Sequence, residues 1–198
     1  MKLLLGTNNL NKIKQFRKIF ENLGSDIELV TLRELNISDD VEEDNDSLLD
    51  NAKKKARHYG TVSGILSLAD DTGFFVDALN GEPGVHAKRW HQGTEEDRYM
   101  KILELTKNVP DKKRTCRYTG VLAIYNPISS TFWTYQNNLE GKIAKKPHAK
   151  NGFGYDPIVI LTEINKYYSE LPSKERNRFS HRGKGIAEFV KMINLKKE

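Results

Sequence analysis

The stretch LSLADDTGFFVDALNGEPG, residues 66–84, decides how this chain is read. It opens on a short apolar run, Leu66, Leu68 and Ala69, with strand character. Two adjacent carboxylates follow, Asp70 and Asp71, and then Thr72 and Gly73. A second apolar run carries Asp77, and Gly81-Glu82-Pro83-Gly84 closes the segment as a turn. Neighbouring acids repel each other unless a cation or hydrogen-bond donors stand between them. Two readings stay open on these residues alone. One is a catalytic or metal-binding carboxylate site at a strand end. The other is an Asp-rich turn that closes the strand with its acids in water.

The rest of the chain bounds the choice. Its 198 residues suit one large domain or one domain with two lobes. Charge is high, yet apolar runs recur along the whole length, as in a globular protein and not a disordered one. No run is long enough to span a membrane, and residues 3–5 are too short for a signal-peptide core. The single cysteine, Cys116, cannot form an internal disulfide and reads as an ordinary strand residue. These points favour the cytoplasm. The net charge of +5 is spread over clusters at 53–55, 112–114, 145–146 and 174–178. Spread positive charge suits a polyanion or a small phosphorylated ligand, and it also suits a solvated surface.

Working outward toward the N-terminus, residues 2–6 read as a buried strand. A polar loop of capping residues, Thr7 to Asn11, leads into a helix over 12–23 stopped by Gly24. A strand running into the N-terminus of a helix presents free N–H groups to an anion, and Lys12 adds a point charge. The same residues also cap helices for purely structural reasons. A second strand spans 27–32. An acidic loop follows, with Glu42 and Glu43 among its charges, as a candidate cation site or a solvated surface. A helix over 47–59 is expected to end at Gly60, with Lys53, Lys54, Lys55 and Arg57 facing mostly away from its apolar side.

Toward the C-terminus, Thr94 opens a helix through about 106 with capping-box spacing. Strands over 115–125 and 131–140 suit an antiparallel hairpin, with Trp133 and Tyr135 on one side. Residues 141–150 form a basic loop. Gly152-Phe153-Gly154 lets backbone approach a flat ligand while Phe153 stacks on it, or is a glycine-rich turn with a core Phe. A short strand covers 158–161. A basic helix capped by Ser173 ends in Ser180-His181-Arg182-Gly183, and a last helix spans 184–195. No repeat, low-complexity tract or linker breaks the chain, so residues 1–198 read as a single domain.

Four segments stand in register: TNNLNK at 7–12, LADDTGFFVDALNGEPGV at 68–85, GFGYDPIV at 152–159 and SHRGKG at 180–185. Together they resemble the inosine triphosphate pyrophosphatase family, the non-standard purine nucleoside triphosphate (XTP/dITP) diphosphatases, across essentially the whole chain. The resemblance implies an elongated α/β fold of two lobes, with a long mixed sheet flanked by helices and the active-site cleft between the lobes. It implies Mg2+-dependent hydrolysis of ITP, dITP and XTP to the monophosphate and pyrophosphate by a cytoplasmic homodimer. It makes Thr7, Asn8, Asn9, Leu10, Asn11 and Lys12 the triphosphate loop. Asp71 becomes the proton acceptor and a metal-linked group, with Asp70 its supporting carboxylate. Glu42 is implied as metal ligand, with Glu43 the second choice. Phe153 would stack on the base, Gly154, Tyr155 and Asp156 line its pocket, and His181 and Arg182 recognise the base. Thr72 stands where many members have Ser, and Arg176 where a base-contacting Lys is common. The segment 85–93 departs from the usual pattern, although Arg89 matches the family Arg there. The alternative activity is a pyrophosphatase for other modified nucleotides. A nucleic-acid binder would have no need of Asp70, Asp71 or Glu42 in its groove.

Overall fold

The computed structural model describes residues 1–148 and 152–195, so the last two residues of the expected basic loop, 149 and 150, lie outside the described residues. The elements run β1 (Lys2–Leu5), α1 (Leu10–Asn22), β2 (Glu28–Thr31), α2 (Leu48–Ser63), β3 (Ser67–Val76) and β4 (Pro83–Gly84). They continue with α3 (Glu95–Leu105), β5 (Thr115–Asn126), β6 (Thr131–Ile143), β7 (Val159–Leu161), β8 (Lys166–Tyr167), α4 (Ser173–Phe179) and α5 (His181–Leu195). The fold is α/β. Its eight strands form one mixed sheet in the order β2-β1-β3-β5-β6-β7-β8, with β4 paired to β3. Among the described residues no helix is long and apolar enough to cross a membrane.

The chain divides into two compact units. The first holds Met1–Asp71, Gly120–Asn137 and the segment from Ser180. Here β1 lies between β2 and β3, parallel to both. Leu3 and Leu5 belong to a core with Phe16, Phe20, Ile186 and Phe189. Leu4 belongs to another with Val30, Leu32 and Tyr59, as the alternation of a strand buried on both faces requires. The chain leaves β1 for β2 on one side and returns by α2 to β3 on the other. The carboxyl ends of β1 and β3 thus form a topological switch point, where open parallel sheets bind ligands. The second unit holds Thr72–Thr119 and Asn138–Phe179, with a core that includes Phe74, Tyr99, Ile102, Leu139, Tyr155 and Ile158.

Several expectations are corrected in detail. Asp70 and Asp71 neither end a strand nor form a turn, because β3 runs through them to Val76. α2 does not stop at Gly60. It ends at Ser63 with Gly64 in the left-handed conformation, φ 71°. Gly60 is a glycine because α2 presses on β5 there, where a Cβ would lie 2.7 Å from the Tyr125 ring. The last helix begins at His181, three residues earlier than expected. Ser180 caps it, its Oγ accepting from Gly183 N–H at 3.0 Å. The expected capping box is present at Thr94 and Asp97. Cys116 is buried in β5, where burial pushes its thiol above the ordinary range.

Candidate active site

The loop after β1 is built by its own side chains. Thr7 Oγ1 accepts from Asn9 N–H at 3.2 Å. Asn9 Oδ1 accepts from Asn11 N–H at 2.9 Å and Lys12 N–H at 3.3 Å, which caps α1. Asn8, Asn9, Leu10 and Asn11 are exposed. Lys12, in the first turn of α1, points back to β3, with Nζ 3.1 Å from Asp70 Oδ1.

Asp70 and Asp71 alternate across the strand and enter different surroundings. Asp70 is 2% exposed and meets cations from two helices. Arg182 Nε and Nη2 donate to its Oδ2 at 2.9 and 2.5 Å. Arg182 Nη1 donates to Gln15 Oε1 at 2.9 Å. His181 Nε2 lies 3.8 Å from the same Oδ2, beyond hydrogen-bond reach. Burial would raise the Asp70 pKa, but Arg182 and Lys12 outweigh it and hold the carboxyl well below the usual range.

Asp71 is 6% exposed and faces α2 and the acidic loop. Asn51 Nδ2 donates to its Oδ2 at 3.2 Å, and Lys55 Nζ lies 3.5 Å from its Oδ1. Lys55 also donates to the Asp70 carbonyl at 2.7 Å and, in a short bond, to Glu43 Oε1. Burial raises the Asp71 pKa, with Glu43 and Asp70 adding to it and Lys55 and Lys12 opposing. Burial would lower Lys55, but Asp71, Asp70 and Glu43 prevail and its pKa is raised. Lys12 is lowered, by burial against the pull of Asp70. His181 is lowered to about 4, by burial and then Arg182, with Asp70 opposing, so its imidazole is neutral at pH 7. The result is a set of three acids, Asp70, Asp71 and Glu43, against three cations, Lys12, Lys55 and Arg182, with neutral His181 beside them at the switch point.

Lys55 is the member that sequence reasoning placed on the outside. Its signal was present in the spacing: Leu48, Ala52, Lys55 and Tyr59 recur at four, three and four residues, one helix face, and all four are buried. Of the two candidate glutamates, Glu42 is exposed and Glu43 is half-buried on Lys55. Asn51 is anchored by Asn45, whose backbone and side-chain N–H groups both donate to Asn51 Oδ1 at 3.1 Å.

The other sequence candidates lie in the second unit. Thr72 continues β3. Phe153 N–H donates to Asp156 Oδ2 at 3.1 Å, and Tyr118 hydroxyl donates to Asp156 Oδ1 at 2.8 Å. Gly154, at φ 64°, donates its N–H to Glu95 Oε2 at 2.8 Å. Tyr155 stacks on Phe74, centroids 4.5 Å apart, and its hydroxyl donates to the Ala87 carbonyl at 2.7 Å. Phe153 is half-buried. A Cβ on Gly152 would lie 3.0 Å from Arg176 Nη1, so Arg176 sits beside this loop. Arg89 is exposed, its Nη2 3.4 Å from His86 Nδ1.

A family model described as the Ham1 family matches residues 3–192. The chain belongs to the Ham1 family. It is 36% identical over 192 residues to a dITP/XTP pyrophosphatase of Symbiobacterium thermophilum, covering 97% of this chain and 94% of that protein. A HAM1 protein structure from Coxiella burnetii matches with a TM-score of 0.85 and 30% identity, over 98% of each chain. The structure of a nucleoside-triphosphatase, dITP/XTP pyrophosphatase, from Mycobacterium abscessus matches with a TM-score of 0.75 and 32% identity, over 96% of this chain and 98% of that one. The Ham1 fold therefore spans the whole sheet, and the cluster of acids and cations lies at its parallel end.

Proposed function

We propose that this Ham1 chain hydrolyses non-standard purine nucleoside triphosphates, ITP, dITP and XTP, to the monophosphate and pyrophosphate. One observation supports the chemistry above others: Asp70 and Asp71, adjacent in sequence, are pushed to opposite proton affinities. Asp70 is locked as an anion by Arg182 and Lys12. Asp71 is the better proton acceptor, as a general base must be. A triphosphate carries about four negative charges, which Lys12 and the positive end of the α1 dipole meet. Water attacks the α-phosphorus as its proton passes to Asp71. The bond from that phosphorus to the bridging oxygen breaks, and pyrophosphate leaves with the electron pair.

The residues present fit a hard divalent cation. Glu43 and Asp71 converge on the Lys55 ammonium, so two carboxylates already face one positive charge. No group of three or more metal-ligating side chains occurs among the described residues. Mg2+ suits such a site, since it takes one or two carboxylates and completes its shell with water and phosphate oxygens. Glu43 and Asp71 would hold it, with Glu43 in the place first read for Glu42. When bound, it offsets phosphate charge and makes the attacking water more acidic. Base choice is assigned to His181 and Arg182 with Phe153, Gly154, Tyr155, Asp156 and Arg176. A donor aimed at O6 accepts hypoxanthine or xanthine and leaves adenine mismatched. A cytoplasmic homodimer completes this reading.

The test is pyrophosphate release from ITP, dITP, XTP, GTP, ATP and modified pyrimidine triphosphates with Mg2+. We expect ITP and XTP to be preferred. ITP turnover no faster than ATP turnover overturns the reading. Asp71→Asn is expected to lower kcat by about a thousandfold with the fold intact, and near-normal turnover would remove Asp71 as the base.

A further inference from the structure

A buried polar atom beside the site is left over. Nδ2 of Asn137, on β6, is buried and has no hydrogen-bond partner among the described residues. Strand register fixes where it lies. β5 and β6 are hydrogen-bonded neighbours joined by the four-residue segment 127–130, so they run antiparallel. Ile143 N–H donates to the Arg114 carbonyl at 2.7 Å, and Thr119 Oγ1 donates to Asn138 Oδ1 at 2.9 Å. Both pairs obey one register, and that register sets Asn137 opposite Gly120.

Side chains alternate along a strand, so Asn137 shares its face with Tyr135, and Gly120 shares its face with Leu122. Leu122 and Tyr135 both lie against Gly185 of α5, so α5 covers this face. At its first turn the His181 ring fills the space that a Cβ on Gly120 would take. Opposed residues hold their Cβ positions about 5 Å apart. The Asn137 carboxamide and the His181 imidazole are therefore neighbours on one face of the sheet. A buried donor is costly when left unpaired, so it calls for a partner.

We propose that Asn137 contacts the substrate base, its Nδ2 donating to the purine oxo group beside His181. The proposal rests on the reading of His181 and Arg182 as base-recognising residues. Inosine and xanthosine nucleotides offer an acceptor oxygen at position 6, and adenosine nucleotides offer an amino group. Asn137→Asp keeps the side-chain shape and replaces the donor with an acceptor.

The experiment measures IMP and AMP binding by calorimetry, with ITP turnover alongside, for the wild type and Asn137→Asp. IMP affinity is expected to fall at least tenfold while AMP affinity holds or rises. KM for ITP should rise more than kcat falls. A purely structural role would weaken IMP and AMP together, and that result overturns the proposal. If thermal melting shows Asn137→Asp unfolded, Asn137→Ala serves, with the same selective loss of IMP expected and equal IMP affinity as the overturning result. Wild-type protein that does not prefer ITP overturns the functional reading and this inference with it. Wild-type preference for ITP with unaltered IMP binding in the variant overturns this inference alone.

Discussion

The two units hold their candidate residues by different physics. In the first, side chains from α1, α2, β3 and α5 meet as ions: Lys12, Lys55 and Arg182 against Asp70, Asp71 and Glu43. All but Glu43 come from regular elements. In the second, the loop 152–156 is held chiefly by bonds between side chains and backbone or between side chains: Tyr118 to Asp156, Phe153 to Asp156, Gly154 to Glu95 and Tyr155 to Ala87. Glycines at φ 90° and 64° shape it. The ionic cluster suits the phosphate and metal charge of the proposed reaction. The hydrogen-bonded loop suits a flat, uncharged ring. The first should respond strongly to any change in charge and to pH, and the second weakly to both.

The largest effect that could break this contrast is Asp70→Asn. It leaves Arg182 and Lys12 buried without their shared counter-charge. Removing one partner of a buried ion pair costs about 3–5 kcal/mol, so urea unfolding should register a loss of that size. A loss under about 1 kcal/mol would mean that water reaches the cations and that the cluster is a surface one in energetic terms.

The ionic cluster also explains what the sequence concealed. N-terminal caps were legible because they are local: Ser47 and Thr94 need only a few neighbours along the chain. Asp70-Asp71-Thr72-Gly73 reads as the end of a strand, site or turn, because four polar or small residues in a row oppose one. The strand persists because Lys12, Lys55 and Arg182, supplied from 58 residues upstream to 112 residues downstream of Asp70, neutralise it. No local pattern contains that information. Lys55 was lost to its neighbours, since a run of three lysines reads as surface even when one of them falls on the buried face. Gly60 read as a stop because a glycine that admits a neighbouring ring and a glycine that ends a helix are the same letter. The strands at 2–6 and 66–69 and the four spaced motifs were the legible core of the fold, while the parallel pairing of those strands was not.

A smaller effect separates the units by pH. His181 has a folded pKa of about 4 against an ordinary 6.5. Between those values the unfolded chain binds a proton that the folded chain does not, so stability falls as pH drops through that window. The contribution is fully present above pH 6.5 and is lost toward pH 4, about 3 kcal/mol in all. Unfolding curves of wild type and His181→Gln between pH 7.5 and 4 test it. The difference between the two proteins should shrink as pH falls. Parallel curves would show that His181 titrates freely and is not seated against Gly120.

The smallest effect tests the second unit alone. Tyr118→Phe removes the hydroxyl that donates to Asp156 Oδ1 and keeps the ring against Phe74, centroids 4.7 Å apart. A net loss of about 1 kcal/mol is expected. Burial and the Asp156 carboxylate raise the Tyr118 pKa well above its ordinary value, so the hydroxyl remains a donor at any working pH. The cost of the substitution should therefore be the same at pH 5 and pH 8, unlike that of His181→Gln. Asp156 also holds the Phe153 N–H, so a loosened Asp156 should raise KM for ITP and leave kcat nearly unchanged. A drop in kcat with constant KM would tie this loop to the phosphate chemistry and erase the division of labour between the two regions.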